Sequence, residues 1–84
     1  MADDQERQQQ LAQLEHLKKL GEQYYDDMYE AHSFRDANAC YRDAKDYFYD
    51  AIALAGQLEL KEEAEALSKR LDHIKAVYRS QFAG

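Results

Sequence analysis

The chain has no proline and only three glycines among 84 residues, so little in it interrupts a helix. β-Branched residues are also scarce, whereas Ala, Leu, Glu, Gln, Lys and Arg are abundant, and these are the strongest helix formers. A chain of this length forms one small domain. The composition therefore predicts a single all-α domain and argues against a sheet.

Cysteine and long apolar runs are scarce as well. A single cysteine, Cys40, excludes an internal disulfide, and nothing in the sequence requires an oxidising compartment. The first ten residues are polar and acidic, unlike a secretion signal. No apolar run approaches the roughly 20 residues that a membrane span needs. We therefore expect a cytoplasmic protein with no membrane association.

Basic charge is in deficit, with 11 Lys and Arg against 17 Asp and Glu, and a formal net charge of −6. This balance argues against nucleic acid, whose binding depends on Lys and Arg neutralising phosphates, and against anionic membranes. The segment 22–50 holds eight of the acids and only three Lys or Arg, so it carries most of the negative charge. The middle of the chain is the acidic part.

The N-terminal part of the chain changes from polar to amphipathic. Residues 1–7 offer nothing to bury, so we expect a disordered tail followed by one domain over 8–84. Helix 1 is predicted over about 8–31, because apolar residues recur there at spacings of three and four. They are Leu11, Leu14, Leu17, Leu20, Tyr24, Met28 and Ala31. Gly21 interrupts this stripe and indicates either a bend or a close helix contact.

Helix 2 is predicted over about 34–55, with Ser33 as its N-cap and Asp36 in its first turn. Gly56 is expected to close it in a left-handed conformation. Two apolar seams run along this helix, so it is expected to touch two neighbours. The main seam is Phe34, Ala37, Tyr41, Ala44, Phe48, Ala51, Ala55 and Leu58, and the second is Cys40, Tyr47 and Leu54.

Helix 3 is predicted over about 61–81, with glutamates in its first turns and basic residues near its end. Its apolar stripe is Leu60, Ala64, Leu67, Leu71, Ile74 and Tyr78. The connections between the three helices are short, and short connections make neighbouring helices antiparallel. The predicted fold is an up-down-up antiparallel three-helix bundle.

The start of helix 2 resembles the second helix of a tetratricopeptide repeat. The residues that carry this resemblance are Phe34, Ala37, Tyr41 and Ala44, after a turn. Helix 1 has residues at that family's packing positions, namely Tyr24, Tyr25, Met28 and Ala31. The resemblance covers about 21–48, and the same pattern with a third helix also resembles the microtubule-interacting-and-trafficking domain. Both families imply binding of peptide segments or helices from partner proteins, without catalysis.

The chain departs from the tetratricopeptide pattern in the turn, where His32 replaces the common Gly or Asn, and in the length of helix 2. No proline ends that helix. One branch of the family binds C-terminal carboxylates through basic residues. Here the corresponding surface is acidic and contains Glu22, Asp26 and Asp36. A basic or amphipathic segment of another protein is the complementary partner.

Seven tyrosines exceed what a three-helix core requires, and Tyr25, Tyr29 and Tyr49 lie off the assigned seams. They are either ordinary exposed aromatics or contacts to a partner. Acids recur every seven residues along helix 2 and form either a solvated face or the rim of a binding groove. The predicted contact set, in a groove between helices 1 and 2, is Tyr25, Met28, Tyr29, Asp43, Asp46 and Tyr49.

No sequence pattern points to catalysis or to a cofactor. The chain lacks the Glu-x-x-His spacing of metal-binding helical bundles, so no metal site is predicted. Ser33 is explained as a helix cap, and no catalytic residue is assigned. The alternative function is a homodimer, in which the leucines of helix 1 project beyond helix 2 and pair between two copies. Those leucines are Leu11, Leu14, Leu17 and Leu20.

Overall fold

Three α-helices make up the fold: α1 (Ala2–Glu30), α2 (Phe34–Gln57) and α3 (Lys61–Gln81). The structure is a computed structural model and describes residues 2–82. Helix α2 packs against both α1 and α3, and two short turns reverse the chain. This arrangement confirms the predicted all-α, up-down-up bundle. Among the described residues, no helix is both long enough and apolar enough to cross a membrane.

Helix α1 begins earlier than the sequence indicates. The predicted start near residue 8 is wrong, because the structure begins the helix at Ala2. The side chains of 4–9 are all exposed, so packing does not hold this segment. Gln, Glu and Arg favour a helix by themselves, and acids suit its N-terminal end. Residues 1, 83 and 84 of the predicted tail and domain lie outside the described residues.

The turn between α1 and α2 confirms the predicted cap. Ser33 has an extended backbone, with φ −141°, and its Oγ accepts a hydrogen bond from the Asp36 backbone N–H at 3.1 Å. The cap satisfies one of the free N–H groups at the start of α2. It fixes the point at which the chain turns back along α1.

The turn between α2 and α3 corrects the expectation for Gly56. The helix continues through this glycine, and the left-handed position falls on Glu59, whose φ is 61°. The Leu60 N–H donates to the Ala55 carbonyl at 2.9 Å, and the Glu59 N–H donates to the Gly56 carbonyl at 3.1 Å. This pair of bonds is a Schellman motif, in which the residue after the C-cap is left-handed. The motif therefore ends α2 without a glycine at its left-handed position.

The core lies along the length of the bundle and draws on all three helices. Leu14 and Leu17 are buried in it, and Leu11 packs against it. The prediction that the leucine stripe projects beyond α2 is therefore wrong. Leu14 and Leu17 thus belong to the core of one chain.

Gly21 marks a close helix contact. A Cβ placed on Gly21 would lie 2.8 Å from Cε2 of Phe48, whose ring is 1% exposed. The ring therefore occupies the space beside the glycine. The close helix contact that the sequence indicates at Gly21 is confirmed.

Candidate functional site

The predicted contact set contains two residues that the fold buries. Tyr25 is 7% exposed and Met28 is 0% exposed, so the expectation that both lie on a binding surface is wrong. The buried stripe of α1 runs through Leu14, Leu17 and Gly21 to these two residues. Because glycine carries no hydrophobic signal, the stripe appears broken at Gly21 in the sequence. The sequence pattern therefore places Tyr25 beside the apolar stripe of α1, although Tyr25 belongs to the core.

Tyr25 lies where α1 meets α3. Its hydroxyl is 3.3 Å from that of Tyr29, and its ring centroid is 5.0 Å from the Arg70 guanidinium carbon. Burial, followed by the hydrogen bond with Tyr29, raises the pKa of Tyr25 to about 12. Arg70 also donates to both oxygens of Glu22, at 2.7 and 2.8 Å, and Lys18 pairs with Glu63. The charges that face each other across α1 and α3 are thus paired.

The exposed members of the predicted set lie on different sides of the bundle. Tyr29, 47% exposed, belongs with Tyr25 on the α1 and α3 side. Tyr49, 49% exposed, lies on the α2 and α3 side, where its hydroxyl accepts a hydrogen bond from Lys75 at 2.6 Å. Asp43 and Asp46 are exposed on α2. The fold does not bring the two exposed tyrosines together.

A different set of side chains lines the groove between α1 and α2. Tyr24 and Tyr47 stack across it, with ring centroids 5.5 Å apart and planes 10° apart, and both rings are half-buried. Cys40 is also half-buried. Its pKa is raised, first by burial and then by the carboxylates of Asp27, Asp43 and Asp36. Acids from both helices therefore lie close to an apolar groove.

We call this surface the acidic strip. Its half-buried apolar members are Leu20, Tyr24, Cys40, Tyr47 and Leu54, and its acids are Asp27, Asp36, Asp43 and Asp50. The contacts that α3 makes with α1 and α2 come from other residues, among them Glu22, Tyr25, Tyr41 and Tyr49. The acidic strip therefore lies on the flank of the α1 and α2 pair that α3 leaves open.

The ionic pairing of this strip differs from that between α1 and α3. Within residues 2–82, no acid of the strip has a Lys, Arg or His partner within 4.0 Å. Lys45 lies two positions from Asp43, yet its Nζ contacts the Tyr41 ring, 4.7 Å from the centroid. The negative charge of the strip is therefore directed to solvent.

Sequence reasoning found the apolar side of this strip but assigned it to packing alone. The overlooked signal is a double heptad on α2, in which each acid precedes an apolar residue by four positions. The pairs are Asp36 with Cys40, Asp43 with Tyr47, and Asp50 with Leu54. Residues four apart lie next to each other on a helix, so this pattern places acids along one edge of an apolar line.

Other surfaces offer less for a ligand. Two depressions lie away from the strip, one formed by Glu59 to Glu63 and the other by α1 residues that include Lys18 and Glu22, which pair with α3. Both are open and lined mostly by charged side chains. No cluster of three His, Cys, Asp or Glu able to hold a metal ion occurs in the described part of the chain. The acidic strip combines half-buried apolar area with negative charge that has no ionic partner in the described residues.

Comparison with protein-family models, with curated proteins and with solved structures gave no match to this chain. The molecule is an all-α three-helix bundle by its own geometry. The resemblance to tetratricopeptide and microtubule-interacting-and-trafficking domains stays a prediction.

Proposed function

We propose that this chain is a non-catalytic protein-interaction module that binds a basic amphipathic helix of another protein along the acidic strip. One observation carries the proposal. The stacked pair of Tyr24 and Tyr47 lies half-exposed beside carboxylates that have no ionic partner within the described residues. The resemblance to peptide-binding helical domains supports the same role.

The composition of the strip fits this ligand. Tyrosine rings offer a large, rigid apolar area with a polar end, which suits a contact that is dry at its centre and wet at its edge. Carboxylates along the edge attract Lys and Arg and disfavour acidic segments. Cys40 and Leu54 are separated by 14 positions on α2, about 21 Å at 1.5 Å per residue. A helix of about four turns covers that length.

The chemistry of the strip favours binding over reaction. Burial and nearby carboxylates raise the pKa of Cys40, so its thiol stays protonated at neutral pH. A protonated thiol is a poor nucleophile and packs as a small apolar group. We therefore propose that Cys40 contributes apolar contact and that the module acts in the cytoplasm, where a lone thiol stays reduced.

A fluorescence titration tests the proposal. The probe is a synthetic amphipathic helix of about 16 residues, with leucines on one face, lysines on its flanks and one tryptophan. Because the protein has no tryptophan, the emission of the peptide reports its burial alone. We expect a blue shift on binding, with affinity that falls as salt is added.

The decisive variant carries Asp43→Lys and Asp50→Lys, which reverse two exposed charges of the strip. Its control carries Glu6→Lys and Glu65→Lys, exposed positions outside the strip, and has the same net charge. We expect the Kd to rise at least about tenfold for the first and less than about twofold for the second. Equal effects of the two variants, or no binding by the parent protein, would refute the proposal.

Tyrosine substitutions separate the acidic strip from the contact set predicted by the sequence. Tyr47→Ser removes half of the stacked pair, and we expect it to weaken peptide binding about tenfold. Tyr29→Ser and Tyr49→Ser alter tyrosines on the other sides of the bundle and are expected to leave binding within about twofold. The reverse result would place the peptide on the surface predicted from the sequence.

A further inference from the structure

The flank where α2 meets α3 carries an aromatic cluster with cations around it. The rings of Tyr41 and Tyr78 stack with centroids 3.8 Å apart and planes 1° apart. Phe34, 59% exposed, extends the cluster, with its centroid 6.5 Å from that of Tyr78. The Lys45 Nζ lies 4.7 Å from the Tyr41 centroid. An ammonium group at such a distance from a ring is a cation–π contact.

Two further cations from α3 surround the same cluster. Lys75 donates a hydrogen bond to the exposed Tyr49 hydroxyl at 2.6 Å. Lys75 and Arg79 also lie close enough to Tyr41 to oppose the rise in its pKa, which burial dominates. The carboxylate of Asp72 interacts electrostatically with Lys75, but their charged atoms lie more than 4.0 Å apart. Within residues 2–82, none of Lys45, Lys75 and Arg79 forms an ion pair.

We call this surface the cationic strip. Its members are Phe34, Tyr41, Lys45, Tyr49, Lys75 and Arg79. In a protein of net charge −6, such a concentration of unpaired positive charge beside aromatic rings is the counterpart of the acidic strip. Each strip presents half-buried aromatic area, and each carries charge of the sign that the other lacks. The two surfaces are therefore complementary in both apolar area and charge.

The two strips point in different directions because α2 contributes to both. Asp43 belongs to the acidic strip and Lys45 to the cationic strip, two positions apart on one helix. Successive residues of an α-helix are rotated by about 100°, so these side chains emerge on roughly opposite sides of α2. A strip of one molecule therefore cannot reach the other strip of the same molecule.

We infer that a second copy of this chain is a ligand of the acidic strip, which it contacts through its cationic strip. The contact is heterologous, since two different surfaces meet, so the assembly keeps a free acidic strip at one end and a free cationic strip at the other. An isologous pairing would oppose like charges and is disfavoured. The inference rests on the acidic strip of the proposed function and adds that self-association and a basic peptide compete for it.

Sedimentation velocity at low and high salt tests the inference. We expect the parent chain to form concentration-dependent oligomers at low ionic strength and to dissociate as salt is added, because the contact depends on charge. A strict monomer at all concentrations in low salt would overturn it. Peptide binding by that monomer would still support the proposed function, so the two failures are distinguishable.

Charge-reversal variants identify the surfaces. The Asp43→Lys and Asp50→Lys variant lacks an acidic strip, and a Lys75→Glu and Arg79→Glu variant lacks a cationic strip. Each alone is expected to lose at least about tenfold in self-association. The second should keep its affinity for the basic peptide within about twofold, because its acidic strip is intact.

Mixing the two variants gives the sharpest result. The intact cationic strip of one can meet the intact acidic strip of the other, so we expect a 1:1 heterodimer that does not grow further. A matched control, Lys61→Glu with Lys69→Glu, changes the charge equally at exposed positions of α3 outside the strip and should self-associate like the parent. A mixture that stays monomeric, or a control as impaired as the strip variants, would overturn the inference. Circular dichroism of each variant establishes that it is folded.

Discussion

Helix α2 makes a tight seam with α1 and an aromatic seam with α3, and these two seams between helices are built on different principles. Towards α1, the contact depends on small size, with the Phe48 ring pressed against Gly21 and Ala37, Ala51 and Ala55 buried in the same core. Towards α3, it depends on the stacked rings of Tyr41 and Tyr78, and the Tyr78 hydroxyl donates a hydrogen bond to Asn38. The first seam should therefore be sensitive to added volume, and the second to the loss of polar or aromatic groups.

This difference also separates the two proposed binding surfaces. The tight α1 and α2 contact leaves half-buried apolar side chains on its open flank, where the acidic strip lies. The α2 and α3 contact places aromatic rings and cations at the surface. One helix, α2, thus presents acids on one flank and Lys45 on another.

The largest expected effect comes from filling the tight seam. Gly21→Ala gains about 1 kcal/mol of helix propensity, but its Cβ would lie 2.8 Å from a buried ring that has little space to move. Overpacking of this kind costs about 1–3 kcal/mol, so we expect a net loss of about 1 kcal/mol in the free energy of unfolding. Urea denaturation measures it.

Gly56→Ala is the matched control for this change. Gly56 is helical, and a Cβ there meets nothing within 4 Å. This variant should therefore gain about 0.5–1 kcal/mol. If both variants were stabilised equally, the tight contact between α1 and α2 would be disproved.

An effect of similar size or smaller is expected from the polar end of the second seam. Tyr78 donates a hydrogen bond to Oδ1 of Asn38 at 2.8 Å, and its ring is buried. Tyr78→Phe keeps the stack and removes this bond, which should cost about 0.5–1.5 kcal/mol in thermal or urea unfolding. Tyr49→Phe removes only an exposed hydroxyl that accepts from Lys75, and we expect a change within about 0.5 kcal/mol. Equal losses would mean that the exposed bond contributes as much as the partly buried one.

The smallest effect at neutral pH concerns Tyr25. Its pKa is raised to about 12 in the fold from an ordinary value of 10.0, so above pH 10 the unfolded chain loses this proton first. The free energy of unfolding is thus unaffected by Tyr25 ionisation below pH 10, and it falls as the pH rises towards 12. Tyr25→Phe should make the alkaline decline of the Tm shallower. An identical decline in both proteins would show that Tyr25 does not ionise in this way.

The sequence predicted the helices well because their signals are local and repeated. Ser33 caps α2 as expected, and both seams of α2 meet neighbours. The errors arose where the deciding contact lies far away in the sequence. The apolar stripe of α1 is continuous through Gly21 only because the Phe48 ring packs beside that glycine. The burial of Leu14 depends on how far α2 extends beside α1.

The candidate site was predictable only in part. A groove between helices 1 and 2 and an acidic rim containing Asp43 followed from periodicity. The tyrosines of the site could not be predicted in the same way. A shift of one position, from Tyr25 to Tyr24, moves a side chain by about 100° around a helix. The exposure of a side chain on α1 or α2 also depends on which flank of this helix pair α3 covers. The short turns do not determine that flank.

The most direct test is a two-dimensional amide NMR titration of the protein with the basic amphipathic peptide. The account predicts that the largest shifts occur at Tyr24, Cys40 and Tyr47, with little change at Tyr29. Shifts concentrated around Tyr29, or no shift anywhere at saturating peptide, would contradict it.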